Sequence, residues 1–217
     1  MLRLHPYEYH RPVLLDEALD LLVEHGDDAM PIAGGTDLVP NMKQGLFTPG
    51  HLVSLGRVGE LRGIDRADDG SIRIGAAASL DSVSRDEMVL RERPMLAEAC
   101  SMISGPQLRR AGTIGGNVCL DTRCTYYNQT RFWRESLGFC LKKDGDVCHV
   151  VPGGTRCVAA HSADGATALC AIGAELEIAG PGGARRTVPI DSFFTSDGVW
   201  NRRMDRDELL VALNLPP

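Results

Sequence analysis

A chain of 217 residues with 43% hydrophobic and 24% charged side chains has the composition of one globular domain or of two small lobes sharing a core. Its net charge of −6 excludes the broad basic face that nucleic-acid binding requires, and no apolar run approaches the ~20 residues of a membrane span. Met1 to Pro6 form no signal-like apolar stretch, so a cytoplasmic location with reduced thiols is expected, and seven cysteines there point to metal or redox use.

Leu14 to Val23 carries apolar residues at helical spacing, with Asp16 and Glu17 early, where the helix dipole favours acids. Met30 to Ala33 reads as a strand ending in Gly34-Gly35, Leu38 to Gln44 as a brief helix and His51 to Leu55 as a second strand. This β-α-β character sets a small lobe, 1–56, apart from a larger one, 57–217. In the larger lobe, Leu61 to Arg66 and Ser71 to Gly75 flank Asp68-Asp69-Gly70, a hairpin signal. Pro94 to Ile103 predicts a helix with Leu96, Ala99, Cys100 and Ile103 on its apolar face. Ser162 is placed to cap an alanine-rich helix reaching Ile172, with Cys170 on its apolar face. Glu175 to Ala179 and Arg185 to Pro189 predict a second hairpin, and Glu208 to Leu215 a last strand. The expected fold class is α+β, with the larger sheet covered by helices on one side.

Two glycine turns stand out. Ala33-Gly34-Gly35-Thr36-Asp37 follows a strand and precedes a helix, where backbone amides can face anionic oxygens. Gly112-Thr113-Ile114-Gly115-Gly116-Asn117 offers a second set of amides and a threonine hydroxyl. Together they suit a pyrophosphate clasp; singly, each is also an ordinary tight turn. Neither has the Rossmann glycine spacing.

Cys124, Cys140, Cys148 and Cys157 lie in a segment too poor in apolar residues to form its own core. Their separations of 15, 7 and 8 residues do not match zinc-finger pairs. A shared metal centre, a structural zinc site and unconnected thiols all remain readings of the residues alone. Cys119 is a rival ligand in an apolar setting, Cys100 and Cys170 read as small core residues, and His149 and His161 as loop histidines. Tyr126 and Tyr127 either shield a metal centre or pack the segment down. Arg123, Arg131, Arg134, Lys142, Lys143 and Arg156 form a local basic excess that either steers an acidic donor or is plain solvated surface.

Ile32-Ala33-Gly34-Gly35-Thr36-Asp37-Leu38, with Met42-Lys43 following, resembles the first FAD loop of the flavoprotein subunit of molybdenum hydroxylases. Pro106 to Asn117 resembles the second, and Gly75-Ala76-Ala77-Ala78-Ser79-Leu80 the segment between them. Ser162-Ala163-Asp164 with Ala168-Leu169, Phe193-Phe194, Gly198 and Asp207 to Leu210 extend the resemblance through nearly the whole chain. The resemblance implies a two-lobed FAD-binding fold of the vanillyl-alcohol-oxidase type. It implies cofactor contacts from Ala33, Gly34, Gly35, Thr36, Asp37, Ala76, Thr113, Gly115, Gly116, Asn117 and Asp164. Lys43 is either close to the cofactor or a surface lysine. Members commonly continue into a C-terminal domain that would begin where this sequence stops.

The segment at about 120–160 is an insertion relative to most of that family and resembles the [4Fe–4S] segment of the β subunit of 4-hydroxybenzoyl-CoA reductase. Asp121 to Gln129 and Cys140-Leu141-Lys142-Lys143 strengthen this likeness. It implies that Cys124, Cys140, Cys148 and Cys157 ligate the cluster. The implied partners are a molybdopterin-binding large subunit, a [2Fe–2S] small subunit and ferredoxin as electron donor, with reductive dehydroxylation of 4-hydroxybenzoyl-CoA as the reaction. Two alternatives are a hydroxylase subunit serving another aromatic or heterocyclic substrate, and a flavin-fold assembly module with structural zinc. No side chain is expected to act as an acid–base catalyst.

Overall fold

Residues 2–217, described by a computed structural model, divide their strands between two sheets. In chain order the elements are β1 (Glu8–His10), α1 (Leu15–His25), β2 (Ala29–Ile32), α2 (Leu38–Lys43) and β3 (His51–Ser54). Next come β4 (Ile64–Arg66), β5 (Ile72–Gly75), α3 (Leu80–Arg85), α4 (Glu87–Glu92), α5 (Pro94–Met102), α6 (Pro106–Ala111) and α7 (Ile114–Val118). The chain closes with α8 (Arg131–Ser136), α9 (Asp164–Ile172), β6 (Glu175–Ala179), β7 (Arg185–Pro189), α10 (Ile190–Phe193) and β8 (Leu209–Leu215). No helix among the described residues is long and apolar enough to cross a membrane.

The smaller sheet is parallel, in the order β1-β3-β2, with Glu8 opposite His51 and Ala29 also opposite His51. α1 begins where the Glu17 carboxylate accepts the Val13 and Leu14 amides, at 3.0 and 3.2 Å, filling two donors that a helix start leaves open. The larger sheet is antiparallel, β4-β5-β8-β6-β7, with a bulge between Glu177 and Ile178 against β8. Its central strand explains the architecture. Leu210, Leu213 and Leu215 pack into a core with α3, α5 and α9, while Leu209, Val211 and Ala212 pack with Leu15, Ala18, Leu19 and Leu22 of α1. β8 is thus buried on both faces and reads as a nearly continuous apolar run.

Three expectations change. The larger sheet is covered on both faces, because α1 of the first lobe closes the side that the later helices leave open. Ser162 does not cap α9: the N-cap is Ala163, which makes no side-chain capping bond. Cys170 is exposed rather than a core residue, whereas Cys100 is fully buried and its thiol is pushed up to about 12 by burial.

Candidate cofactor cleft and cysteine compartment

The first glycine turn leaves β2 and runs into α2; the second connects α6 to α7. They touch. A Cβ on Gly34 would overlap the Ala111 carbonyl, so only glycine lets the two turns abut. Leu80 donates to the Gly112 carbonyl (2.9 Å) and Ile114 to that of Ala78 (2.9 Å), which fastens the second turn to the strand-to-helix segment 75–80. The turns form part of the wall of a cleft of about 810 Å³, within the size range of small-molecule and cofactor sites.

Ala33, Gly34, Gly35, Thr36, Asp37, Ala76, Thr113, Gly115, Gly116 and Asn117 all line this cleft. Lys43 and Asp164 do not; both are exposed. The two turns also differ chemically. The Gly34, Gly35, Thr36 and Asp37 amides donate to no protein acceptor among the described residues. In the second turn, Gly115 donates to Ala76 O, Gly116 to Thr113 Oγ1 and Asn117 to Thr113 O. The expected second set of open amides is therefore largely consumed by local folding, Thr113 N apart, and the longer run of free donors for an anion belongs to the first turn. Asn117 in turn accepts the Gly165 amide at 3.1 Å, tying the second turn to the start of α9. Open amides, glycine-permitted close approach and a cleft of this volume fit a pyrophosphate-bearing flavin nucleotide.

Beside the cleft the cysteine segment closes on itself. Arg123 and Ala160 exchange backbone hydrogen bonds of 2.7 and 2.9 Å, so the segment leaves and re-enters the body at one neck. Lacking its own core, it borrows one. Leu46 and Phe47 of the first lobe pack with Tyr127, Cys140 and Cys124. Arg134, 1% exposed, reaches from α8 to the Gly45 carbonyl (3.0 Å) and to Asp144 (3.1 Å). The Arg123 guanidinium pairs with Asp37 of the first glycine turn, linking the neck to the cleft.

Cys124, Cys140, Cys148 and Cys157 line one small cavity with Tyr126, Tyr127, Lys142 and His149. Cys119 lies elsewhere, in the wall of the cleft, and burial raises its thiol. His161 is half-buried against Phe194, 4.7 Å between ring centres. Val151 N donates to Cys148 Sγ and Ala159 N to Cys157 Sγ, both at 3.4 Å. Such bonds favour sulfur in its anionic, ligating form. Burial nonetheless raises the Cys157 thiol, the larger of the opposing influences in a cavity without positive charge beyond Lys142. A Cβ on Gly198 would stand 2.7 Å from Cys157 Sγ, so the sulfur sits in space that only glycine leaves.

Lys142 is the residue whose part the sequence did not reveal. Its side chain is 5% exposed, and its ammonium donates to Asp121 (2.7 Å), Thr122 Oγ1 (2.6 Å) and Gly198 O (2.6 Å) while facing the Tyr127 ring. Tyr127 donates to the other Asp121 oxygen at 2.8 Å, and burial raises its phenol far above the ordinary value. Lys142 and Tyr127 line both the cysteine cavity and the cleft, forming the partition between them. Four of the six basic residues, Arg123, Arg134, Lys142 and Lys143, pair with acids of the chain and leave little free basic surface.

Two sheets whose lobes share an apolar core, with glycine turns walling a large cleft, define a cofactor-holding α+β domain. The chain belongs to the family described as the FAD binding domain in molybdopterin dehydrogenase, which residues 5–217 match. It is 34% identical over 209 residues to a xanthine dehydrogenase FAD-binding subunit of Escherichia coli O157:H7, covering 96% of this chain and 57% of that one. It is 32% identical over 210 residues to the carbon monoxide dehydrogenase medium chain of Hydrogenophaga pseudoflava, covering 97% and 58%. A solved structure of the Hydrogenophaga pseudoflava enzyme superimposes with a TM-score of 0.73 at 30% identity, over 99% of this chain and 60% of that one. The chain therefore spans somewhat over half the length of these relatives.

Proposed function

We propose that the chain is the FAD-binding subunit of a molybdopterin-dependent oxidoreductase and that Cys124, Cys140, Cys148 and Cys157 hold a [4Fe–4S] cluster beside the flavin. The observation that carries this reading is the convergence of the four cysteines on one cavity that shares a wall, Tyr127 and Lys142, with the cleft lined by both glycine turns. FAD would lie along Ala33 to Asp37, Ala76 and Thr113 to Asn117, between a small lobe ending near residue 56 and the remainder. Lys43 and Asp164 face solvent and carry no contact in this reading.

The spread of the sulfurs supports a cluster over zinc. Four thiolates on one tetrahedral zinc, with Zn–S near 2.3 Å, stand about 3.8 Å apart. Among the described residues no three cysteine sulfurs lie within 4.8 Å of one another. A cubane needs the wider spacing, since each sulfur binds a different iron.

A flavin exchanges electrons singly or in pairs and an iron–sulfur cluster singly, which suits relay between a one-electron donor such as ferredoxin and a molybdenum centre. The residues of this chain then orient the two groups, keep water from the partition and set the polarity around the sulfurs. The partners in this reading are a molybdopterin-binding large subunit, which holds the substrate, and a small subunit with [2Fe–2S] clusters. The reaction is reductive dehydroxylation of 4-hydroxybenzoyl-CoA, the direction being suggested by the added cluster as an entry point. Named relatives are xanthine and carbon monoxide dehydrogenase subunits, so the nature of the substrate rests on the cysteine segment alone.

Iron, acid-labile sulfide and flavin are measured on anaerobically prepared protein. About four irons and four sulfides beside about one FAD are expected of a four-thiolate cubane site. FAD with zinc and no iron overturns the electron-entry role and leaves a flavoprotein subunit with a metal-stapled loop.

A further inference from the structure

Three of the six histidines meet in the first lobe, outside the residues that line the cleft. His10 ends β1, His51 begins β3 and His25 ends α1. The parallel register sets Glu8 against His51 and His10 against Val53, and alternate strand residues share a face. Val53 packs beneath α1, so His51, two residues earlier, continues that covered face to the point where the helix stops at His25. The His25 and His51 rings stack 3.7 Å apart and 3° from parallel, and His10 lies 5.2 Å from each. His10 Nε2 is 3.0 Å from His51 Nδ1. One nitrogen from each ring falls within 4.8 Å of the others, and Glu8 Oε2 is 3.9 Å from His51 Nδ1.

We propose that His10, His25 and His51, with Glu8 as a neighbouring carboxylate, form a binding site for a divalent transition-metal cation of the zinc class. Neutral imidazole is the form that ligates metal. Tetrahedral zinc with nitrogen ligands at 2.0–2.1 Å requires nitrogens about 3.4 Å apart and each ring plane aimed at the ion, so the three nitrogens already lie within reach of one another while ligation turns His25 and His51 out of their parallel stack. His25 lies in the last turn of α1, where the helix dipole favours a cation. Imidazole and carboxylate donors suit zinc, nickel or copper rather than calcium or magnesium. None of the four residues lines the flavin cleft, and a bound ion would clip β1, α1 and β3 together. It is distinct from the cysteine compartment in place and in donor type.

Zn²⁺ is titrated calorimetrically into metal-stripped protein of the wild type and of the His25→Ala and His51→Ala variants. All three carry the same cysteines, so thiolate-bound zinc cancels in the comparison. The wild type should bind one zinc more than either variant, or bind it at least tenfold tighter. On the wild type alone, Zn²⁺ should protect His10, His25 and His51 from diethylpyrocarbonate while the exposed His5 keeps reacting, a readout that survives misfolding of a variant. Equal zinc stoichiometry and affinity in all three proteins, or no protection of the three rings, overturns the proposal.

Discussion

At the scale of single residues, the partition between cleft and cysteine cavity depends on one ammonium. Lys142 looks in sequence like one basic residue among several in a glycine-punctuated loop, and nothing in its neighbours Leu141 and Lys143 marks it as buried. Its partners lie far along the chain, at Asp121, Thr122 and Gly198, and contacts of that separation leave no local pattern. Replacing it, as in Lys142→Met, strands a part-buried carboxylate, a buried hydroxyl and a carbonyl together. The expected loss is about 3 kcal/mol of unfolding free energy, typical of breaking a buried pair from one side. Urea denaturation measures it; a loss below about 1 kcal/mol would place Lys142 among ordinary surface ion pairs. His161 has a pH signature of its own. Burial holds its imidazole below the ordinary value of 6.5, and its Nε2 is buried without a hydrogen-bond partner. The folded chain thus resists taking a proton that the unfolded chain accepts. Its contribution is complete above about pH 6.5 and is lost as pH falls toward the depressed folded value. Stability compared at about pH 7.5 and about pH 5.5 should fall less in His161→Phe than in the wild type. Parallel losses in the two proteins would show that His161 does not carry this dependence.

At the scale of elements, legibility followed length and period. α1, β2, β3, α5, the second hairpin and β8 lie within a residue or two of where apolar spacing and turn residues put them, while the first hairpin's leading strand starts at Ile64, three residues later than expected. β1 is three residues long and α3, α4, α6 and α7 are five or six, too short for a period to emerge. The first glycine turn kept its expected open amides; the second did not, because Thr113 Oγ1 accepts the Gly116 amide as a helix cap. A capping threonine and an anion-binding threonine look identical in sequence. The cysteine segment was recognisable as lacking a core, but its borrowed one, Leu46 and Phe47, comes from a lobe some eighty residues earlier. Abutment of the two turns yields a prediction at this scale. Gly34→Ala forces a methyl group into the Ala111 carbonyl, and separating backbone from backbone admits no side-chain escape. The variant should lose about 1–3 kcal/mol, as overpacked sites do. It should also retain less flavin per chain after gel filtration, because the free amides of Gly34 to Asp37 move with the turn. Full flavin content with an unchanged melting temperature would mean that the turns need not touch.

At the scale of the whole molecule, the larger lobe has a core of its own, but the core beneath α1 is shared between the two lobes. The face of β8 carrying Leu209 and Val211 is completed by Leu15, Ala18, Leu19 and Leu22 of α1, and Val53 and Leu61 belong to the same cluster. Other bonds cross the same boundary: Arg123 with Asp37, Arg134 with Gly45, and the Arg131 amide with the Gln44 carbonyl at 3.0 Å. A cofactor bound along both glycine turns would therefore be held by one mechanical body. A hinge between two independent lobes is inconsistent with an apolar seam of this extent. Leu19, 2% exposed at the centre of the seam, tests this directly. Leu19→Ala removes packing from both lobes at once and should cost about 2–5 kcal/mol, the range for emptying a buried leucine site. Unfolding should remain a single transition at a lower denaturant concentration, with tryptophan fluorescence and far-ultraviolet circular dichroism coincident. Trp133 reports on the cysteine segment and Trp200 on the cleft wall, so fluorescence samples regions outside the mutated helix. A split into two transitions, with the tryptophan signal outlasting loss of the α1 helix, would show that the larger lobe stands without the smaller one.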